Sequence, residues 1–394
     1  MHAVLSELAR PEAVTRSRHV IFSYDEVTWD AAQRRGMNFT QDQVLVGLME
    51  DPAVERLLVS NWPRSAPVVA IKDRIRRPVP FPETERHRLR QPLRLLRNDP
   101  IGVAALRRHY AVWDRRLRKA ADGFGLERPA IVTSHAFVAG FCELDWAGPV
   151  TYVAIDDFSA HPDYRRRRDD YLQAFAEISH RRRRLIAVSK AIVEKVDPRG
   201  PALVLPNAVD PELWGERKRV PAWLARMPGP RLLYVGTLDS RLDVEAAGAV
   251  ARAWPAGSLV LVGPLKDRAH LGPLLAEPNV FHHGAVAHAE VPAIVAGADA
   301  CLIPHHRTDL TVAMSPLKLF EYLAAGRPVA VTDLEPMSAV DGTVFRVAPG
   351  GDFRPAVAAA LEAGPMTERQ RAAFIEANAW PGRRAQALEF ALAP

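Results

Sequence analysis

The chain has 394 residues, of which 48% are hydrophobic and 25% charged, and its formal net charge is +6. This length and composition exclude a disordered chain and a single small domain, and they favour two α/β domains. No apolar run approaches the ~20 residues of a membrane-spanning helix, and the first residues lack a secretory pattern, so a cytoplasmic protein is expected.

Apolar, β-branched runs alternate with helix-length amphipathic segments, which is the pattern of parallel α/β sheets. In the N-terminal half a helix is predicted over 101–122, and the predicted strands are 19–24, 55–62, 130–134, 150–155, 184–189 and 202–207. Residues 72–100 are rich in proline and arginine. We expect a long loop there, because proline lacks the amide hydrogen that helices and strands use.

A linker rich in Pro and Gly is predicted near 208–229. The strands predicted after it are 231–236, 259–264, 279–284, 300–305, 327–332 and 343–348, and the predicted helices between them are 241–253, 288–298 and 315–325. Residues 366–392 have the character of one or two further helices. The chain therefore divides into two α/β sets.

The helix predicted over 315–325 is the most informative segment. Ser315 is a good N-cap, Pro316 suits the first helical position, and Gly326 is placed to end the helix. Ligands of open parallel sheets bind at the carboxyl ends of strands, around such helix N-termini. The free amides near Ser315 and Leu317 therefore predict an anion site.

Two charged residues follow within this helix. The Lys318 ammonium adds a full positive charge to the predicted anion site. Glu321 lies about one turn further along on nearly the same face, where its carboxylate can accept both hydroxyls of a ribose. An exposed helix with an ordinary Lys–Glu pair explains the same local pattern equally well.

Several segments together resemble the GT-B glycosyltransferases, especially the retaining family-4-like group and its teichuronic-acid-type branch. They include PLKLFEYLAAGRPVAVTDL, LLYVGTLDSRLD, VPAIVAGADACLIPH, VLPNAVDPELW and NAWPGRRAQALEF. The resemblance implies two Rossmann-like domains that face each other across a cleft. Residues 1–210 would bind the acceptor, and residues 211–377 would bind the nucleotide sugar. A C-terminal helix, about 378–394, would cross back to the N-terminal domain.

The resemblance also implies an activity and a set of donor contacts. The activity is transfer of a sugar from a nucleoside-diphosphate sugar, such as a UDP-sugar, to a glycan or small-molecule acceptor, with retention of configuration. Lys318 would contact the diphosphate, and Glu321 the ribose. Backbone at Gly236–Thr237 and around Ser315 would line the phosphates. The remaining donor-side candidates are His305, near the sugar, and Asp243, for which a helix-capping role is equally plausible.

Two positions depart from the family pattern. The family often has a glutamate eight residues before the ribose glutamate, where this chain has Ala313, and an arginine at the position of Thr237. Thr311 and Asp309 are neighbours to which the sugar contact could pass. The stereochemical outcome therefore stays open. Two alternatives remain: a non-transferase GT-B enzyme such as a sugar-nucleotide epimerase, and a catalytically weak nucleotide-binding homologue.

In the N-terminal half, Asp25, His135, Asp156 and Asp157 each follow a predicted strand. We expect them to face the cleft beside the acceptor, where an inverting enzyme needs a general base. A structural histidine at 135 and a helix cap at Asp157 are the alternatives. The pair Asp156-Asp157 is not the Asp-x-Asp metal pattern of another glycosyltransferase fold, so we expect no obligatory metal and no other cofactor.

The positive charge is concentrated in residues 1–210, which hold 34 Lys and Arg against 27 Asp and Glu. An anionic acceptor or peripheral contact with a membrane would explain it, as would arginines on solvated helix faces. We favour acceptor contact by the Arg-rich segment Lys72–Arg97, because its apolar residues look too few and scattered for a membrane face. Nucleic acid is not expected, since aromatics do not interleave with the arginines. Cys142 and Cys301 fit a reducing compartment. We expect a monomer or a homodimer.

Overall fold

A computed structural model describes residues 17–96, 98–338, 340 and 342–394. In the N-terminal half the strands β1 to β9 are His19–Ser23, Arg56–Ser60, Arg64–Ser65, His87–Arg90, Leu93–Arg94, Ala130–Thr133, Val150–Ala154, Arg184–Ala187 and Ala202–Val204. The helices α1 to α7 are Trp29–Arg34, Thr40–Glu50, Ala66–Ile75, Val103–Asp122, Ala136–Phe141, Arg168–His180 and Lys190–Val196, with a 3₁₀ turn at Pro162–Arg167.

Seven of these strands form one parallel sheet in the order β4-β2-β1-β6-β7-β8-β9. Every residue of β6 and β7 is buried. Nearly continuous apolar strands of this kind are typical of parallel sheets covered by helices on both faces. One apolar cluster contains Tyr110 and Phe137, and another contains Trp29 and Leu45. The predicted strands of this half are confirmed.

The prediction of one long loop over 72–100 is wrong in part. Helix α3 reaches Ile75, and residues 87–90 form β4, which pairs in parallel with β2 at the sheet edge. The strand avoids the prolines that precede it. Its arginines are accommodated by aromatic rings, because the Arg88 guanidinium lies 4.4 Å from the centre of the Phe124 ring and that of Arg90 lies 4.6 Å from Trp113.

The C-terminal half repeats the parallel design. Its strands β10 to β15 are Arg231–Val235, Ser258–Val262, Val280–Gly284, Ala300–Ile303, Val329–Thr332 and Val344–Val347, in the sheet order β12-β11-β10-β13-β14-β15. The helices α8 to α16 are Pro211–Trp214, Ala222–Ala225, Val244–Ala253, Arg268–Leu275, Val291–Val295, Asp309–Ala313, Leu317–Ala324, Glu335–Ser338 and Arg354–Ala363, with a 3₁₀ turn at His288–Glu290. The predicted strands of this half are confirmed too.

Two helices end the chain, α17 (Glu368–Ala377) and α18 (Trp380–Leu392). Helix α18 packs against α2, and its Leu388 belongs to an apolar cluster of the N-terminal half. The chain thus crosses between the halves twice. At the crossings Val209 N–H donates to Asn378 O, and Trp380 N–H donates to Val209 O.

Throughout the described residues, no helix combines the length and apolarity that crossing a bilayer requires. Cys142 and Cys301 are both buried free thiols.

Candidate active site

The loops that follow the strands of the two sheets meet one another. Ser189, after β8, donates its hydroxyl hydrogen to the Ala313 carbonyl at 2.6 Å, and Lys266, after β11, lies 3.9 Å from the Asp163 carboxylate. A Cβ added to Gly36 would lie 3.2 Å from His288 Nδ1. The carboxyl ends of the two sheets therefore face a common cleft, which is where ligands of such sheets bind.

Ser315 is not the N-cap of the helix that follows it. Helix α14 begins at Leu317, its N-cap residue is Pro316, and no side chain caps it. The Ser315 hydroxyl instead accepts the Asn207 N–H at 3.0 Å, and Asn207 Nδ2 donates to the Ser315 carbonyl at 2.5 Å. A contact between the halves thus replaces the predicted cap. Gly326, with φ of 73°, lies just past the end of α14 as predicted.

Lys318 lies in the first turn of α14 and is half-buried. Its Nζ donates to the Tyr234 hydroxyl at 2.7 Å and lies 4.1 Å from the centre of that ring. Burial, together with the Arg241 guanidinium, lowers the pKa of Lys318 to about 7. A positive charge on Lys318 is shielded from water and lies near the positive charge of Arg241. An anionic ligand would therefore stabilise it.

Gly236 provides the space that Lys318 occupies. A Cβ at this position would lie 2.8 Å from Lys318 Nζ, and its φ of 144° also favours glycine. The Gly236 N–H donates to Val262 O at 2.8 Å. This amide is therefore not free for a phosphate, contrary to the prediction, although the neighbouring Thr237 lies on the same loop.

Arg241 is a site residue that the sequence analysis missed. Its guanidinium makes a bidentate contact with Asp239, at 2.9 and 2.7 Å, and its charge lowers the pKa of both Lys318 and Asp156. Arg241 thus supplies a positive charge on the same loop as Thr237, the position at which the family that the sequence resembles often has an arginine. Nothing local separates it from the other arginines of the chain, and only the fold brings it to Lys318.

Glu321 is buried, and its Oε1 lies 2.7 Å from His288 Nε2. His288 fixes one carboxylate oxygen, which leaves the other for a ligand. Asp243 caps α10, since its side chain accepts the Ala246 N–H at 2.9 Å. The structure therefore favours the capping alternative for Asp243. His305 is 2% exposed and approaches Tyr234 Oη at 3.2 Å, so it lies beneath the Lys318–Tyr234 pair rather than on the cleft surface.

His135 joins a buried hydrogen-bond chain in the N-terminal half. Its Nδ1 accepts the Phe137 N–H at 3.1 Å, so in the neutral ring the proton lies on Nε2. Nε2 donates to Tyr110 Oη at 2.9 Å, and Tyr110 donates to the Asp99 carboxylate at 2.6 Å. Burial lowers the pKa of His135 to about 3. The ring is thus a neutral hydrogen-bond donor and not a general base at neutral pH.

The Asp25 carboxyl lies next to this chain, with Oδ1 3.7 Å from His135 Nε2. It is 5% exposed, and within the described structure both of its oxygens are buried without a hydrogen-bond partner. Burial, reinforced by Glu26 and Asp99, raises the pKa of Asp25 well above its usual range. This shift favours the protonated carboxyl, and an unpaired buried carboxyl of this kind is a mark of a functional site.

The neighbours Asp156 and Asp157 have different environments. Asp157 organises its own turn, because its Oδ1 accepts from the Ser159 N–H and hydroxyl at 3.0 and 2.6 Å. Asp156 accepts only the Asp157 N–H among the described hydrogen bonds, and burial raises its pKa to about 7, against the charge of Arg241. Asp156 is thus the candidate of this half whose carboxyl titrates near neutral pH.

A polar cavity of about 580 Å³ opens beside His135. Its lining includes Trp62, Arg94, Arg167 and Tyr164. Tyr164 donates its hydroxyl hydrogen to Glu26, a residue held at φ of 45° directly after Asp25. Such left-handed backbone in a non-glycine residue costs free energy, and it occurs frequently at functional sites. Among the described residues, no cluster of three or more His, Cys, Asp or Glu side chains has a geometry that would hold a metal ion.

Comparison with known proteins identifies the C-terminal part of this arrangement. Residues 229–363 match the family of glycosyl transferases group 1. We call these residues, about a third of the chain, the group 1 domain. TuaH of Bacillus subtilis, named as a teichuronic acid biosynthesis glycosyltransferase, is 33% identical over 132 residues. The match spans 32% of this chain and 33% of TuaH, so about a third of that protein's length is covered.

Solved structures extend the likeness beyond the group 1 domain to almost the whole chain. A trehalose-phosphate synthase from Burkholderia vietnamiensis aligns with a TM-score of 0.66 at 15% identity, covering 95% of this chain and all of that one. Sucrose-phosphate synthase from Thermosynechococcus elongatus gives 0.63 at 14%, covering 94% and 97%. Anabaena HepE, in complex with UDP and glucose, gives 0.56 at 16%, covering 95% of each. The fold is therefore GT-B, as the resemblance implied.

The group 1 domain contains every donor-side candidate: Gly236, Thr237, Asp243, His305, Ser315, Pro316, Leu317, Lys318 and Glu321. The structure brings Lys318, Gly236 and Tyr234 together, and it places Glu321 one turn further along α14. The predicted resemblance is confirmed for residues 229–363 by the domain family and for almost the whole chain by the fold. The contributions of Arg241, Asn207, His288 and Tyr110 depend on contacts between distant segments, so the sequence alone gave no signal for them.

Proposed function

We propose that this protein transfers a sugar from a nucleoside-diphosphate sugar to a hydroxyl, or another nucleophile, of a glycan or small-molecule acceptor. The observation that carries the proposal is the pair of cations, Lys318 and Arg241, at the start of α14. Asp239 balances one of them through its bidentate contact with Arg241. A diphosphate would balance the other, and the first-turn amides of α14 would add donors to it.

The other donor contacts follow from the same placement. With the diphosphate at Lys318, the ribose would extend along α14 towards Glu321, whose free carboxylate oxygen would accept its hydroxyls. We propose UDP as the leaving group and as the first probe. The support is indirect: the structural neighbours include UDP-forming synthases and a protein solved with UDP and glucose.

The acceptor would occupy the 580 Å³ cavity beside His135. Asp156 would lie between the two ligands, since Arg241 of the donor side is close enough to influence its pKa. We propose retention of configuration, in keeping with the family resemblance. The anomeric proton signals of substrate and product in nuclear magnetic resonance spectra test this assignment directly.

We also propose that the reaction requires no metal ion. The Lys318 ammonium, next to the Arg241–Asp239 pair, provides positive charge where a divalent ion would otherwise offset the charge of the leaving diphosphate. A rate that is unchanged after treatment with a chelator, and unchanged when magnesium is restored, is the expected result. A rate that falls with the chelator and recovers with magnesium would show that this charge is insufficient.

Calorimetry with UDP, GDP and ADP tests the donor site, and release of nucleoside diphosphate from a panel of nucleotide sugars tests turnover. Arg241→Met should weaken binding of the preferred diphosphate by roughly 10- to 100-fold, the effect of losing charge-assisted hydrogen bonds. Arg252→Met is the matched control, because Arg252 is an exposed arginine of the same domain that pairs with Glu277.

Equal loss in both arginine variants, or none in either, would contradict the assigned anion site. Binding of a diphosphate without transfer or hydrolysis of any nucleotide sugar would instead identify a nucleotide-binding homologue. That alternative is the one raised by Ala313 in place of the family glutamate.

A further inference from the structure

A cluster of exposed leucines lies on the N-terminal half, beside β5 and α4. The exposed fractions are 49% for Leu93, 86% for Leu95, 74% for Leu96 and 38% for Val112. All four border one shallow cavity of about 520 Å³. The expectation that the apolar residues of this segment are scattered is wrong for these leucines, because β5 and its following turn place them against the side of α4. We call these four residues the leucine patch.

The helix beside the leucine patch presents an excess of positive charge. Arg108, Val112 and Arg116 are spaced by four residues and so lie on one face of α4. Arg115 and Arg118 are exposed as well. Throughout the described part of the chain, no carboxylate lies within 4.0 Å of any of these four arginines. Of the acidic residues in α4, Asp114 is buried and accepts from the Leu144 N–H and the Trp146 indole.

The leucine patch also adjoins the proposed acceptor cavity. Arg94 and Asn98 line both the 520 Å³ cavity and the 580 Å³ cavity beside His135. Ile101, which is 63% exposed, borders the second of them. Apolar side chains and arginines therefore border both cavities.

We propose that the leucine patch and the arginines of α4 dock on an anionic lipid bilayer. Exposed leucines favour transfer into the acyl boundary, and arginines without a carboxylate partner favour a surface of lipid phosphates. The charge argument selects the bilayer over an apolar protein partner, since such a partner would leave four arginines uncompensated. Docking would set the acceptor cavity against the membrane surface.

Vesicle flotation of the full chain tests the proposal. We expect binding to vesicles of phosphatidylcholine with 30% phosphatidylglycerol, taken as roughly the anionic content of a charged leaflet, and little binding to phosphatidylcholine alone. Leu95→Glu with Leu96→Glu should lower the partition coefficient at least tenfold, because each leucine buries apolar surface in the bilayer. Arg108→Ala with Arg116→Ala should lower the partition coefficient about fivefold per arginine. Raised salt should lower the partition coefficient of the wild type as well.

Matched controls lie on the other half of the molecule. Phe281→Glu changes a residue that is 38% exposed on β12, and Arg226→Ala removes an exposed linker arginine. Both should leave vesicle binding unchanged. Circular dichroism and UDP calorimetry should be unchanged in all four variants, which separates loss of docking from loss of folding.

Absence of wild-type binding to the anionic vesicles would overturn the proposal, and so would equal losses in the control variants. Sedimentation that reveals a dimer broken by the leucine variant, without vesicle binding, would assign the surface to a second copy of the chain instead. Vesicle binding requires no nucleotide sugar, so its outcome is independent of the proposed transferase activity.

Discussion

Lys318 makes the donor site testable through the pH dependence of nucleotide binding. Burial and the Arg241 guanidinium lower its pKa to about 7. A diphosphate in contact with the ammonium would raise that pKa towards the ordinary value of ~10.4. Binding therefore raises the pKa, so the affinity is complete below about pH 7 and is lost as the pH rises above it.

The size of the effect follows from this one ionisation. The affinity should fall close to tenfold per pH unit above 7, which makes UDP binding about fiftyfold weaker at pH 9 than at pH 7. The terminal phosphate of UDP is already ionised across this range and does not contribute. Calorimetry in two buffers of different ionisation enthalpy should show uptake of almost one proton per UDP at about pH 8.5. This pH lies between the Lys318 pKa of about 7 without UDP and the value of ~10.4 expected with UDP bound.

Two variants isolate the ammonium. Lys318→Met should weaken UDP binding at pH 7 and abolish the pH dependence, because no titrating group remains. Lys318→Arg keeps the charge throughout this range and should bind with a flat profile. Constant wild-type affinity from pH 7 to 9, without proton uptake, would refute the reasoning, and a slope that persists in Lys318→Met would assign it to another group.

Two further predictions concern the carboxylates on either side of the cleft. Wild type should prefer UDP to its 2′-deoxyribose analogue by roughly tenfold or more, and Glu321→Gln should lose this preference if its carboxylate accepts the ribose hydroxyls. His288→Ala, which leaves the carboxylate in place, is the control and should retain it. Asp156→Asn should leave UDP affinity within a factor of about two, because Asp156 belongs to the other half. A fall in kcat of ~10²-fold or more would identify Asp156 as a general base, which an inverting reaction needs and the proposed retention does not. If Asp156 is the base, wild-type kcat should rise with pH through about 7, and a normal rate with the same inflection in the variant would exclude it.

The strands were predictable because their signal is local. A parallel strand covered on both faces is a run of apolar residues, such as AIVT at 130–133, and its end marks where a cleft residue such as His135 must lie. Strand β4 lacks that signal. Its sequence is HRLR, and it is a strand because it pairs with β2 at the sheet edge, where the rings of Phe124 and Trp113 contact its arginines.

The contacts that complete the site were not predictable in the same way. Ser315 has the sequence context of an N-cap, but Asn207 occupies its hydroxyl and its carbonyl. Asp156 and Asp157 are identical side chains at adjacent positions, and contacts made in the fold distinguish them. Asp157 accepts from Ser159 and lies 3.7 Å from the Lys195 ammonium, whereas burial raises the pKa of Asp156 to about 7. The sequence around Arg241 does not distinguish it from the other arginines of the chain. Its role becomes apparent only in the fold, where its charge acts on Lys318.

The two crossings between the halves restrict how the cleft can open. The segments around Val209 and Ala379 lie side by side as a parallel bridge, so we expect the connection to act as one hinge rather than as two separate linkers. Bending about this hinge would separate the carboxyl ends of the two sheets. The displacement would be largest for the residues farthest from the hinge. A largely apolar, open pocket of about 670 Å³, lined in part by Pro206 and Asn378, adjoins the same segments. Filling that pocket with larger side chains should restrict the hinge. Ligand exchange should then become slower, although the residues that contact the ligands are unchanged.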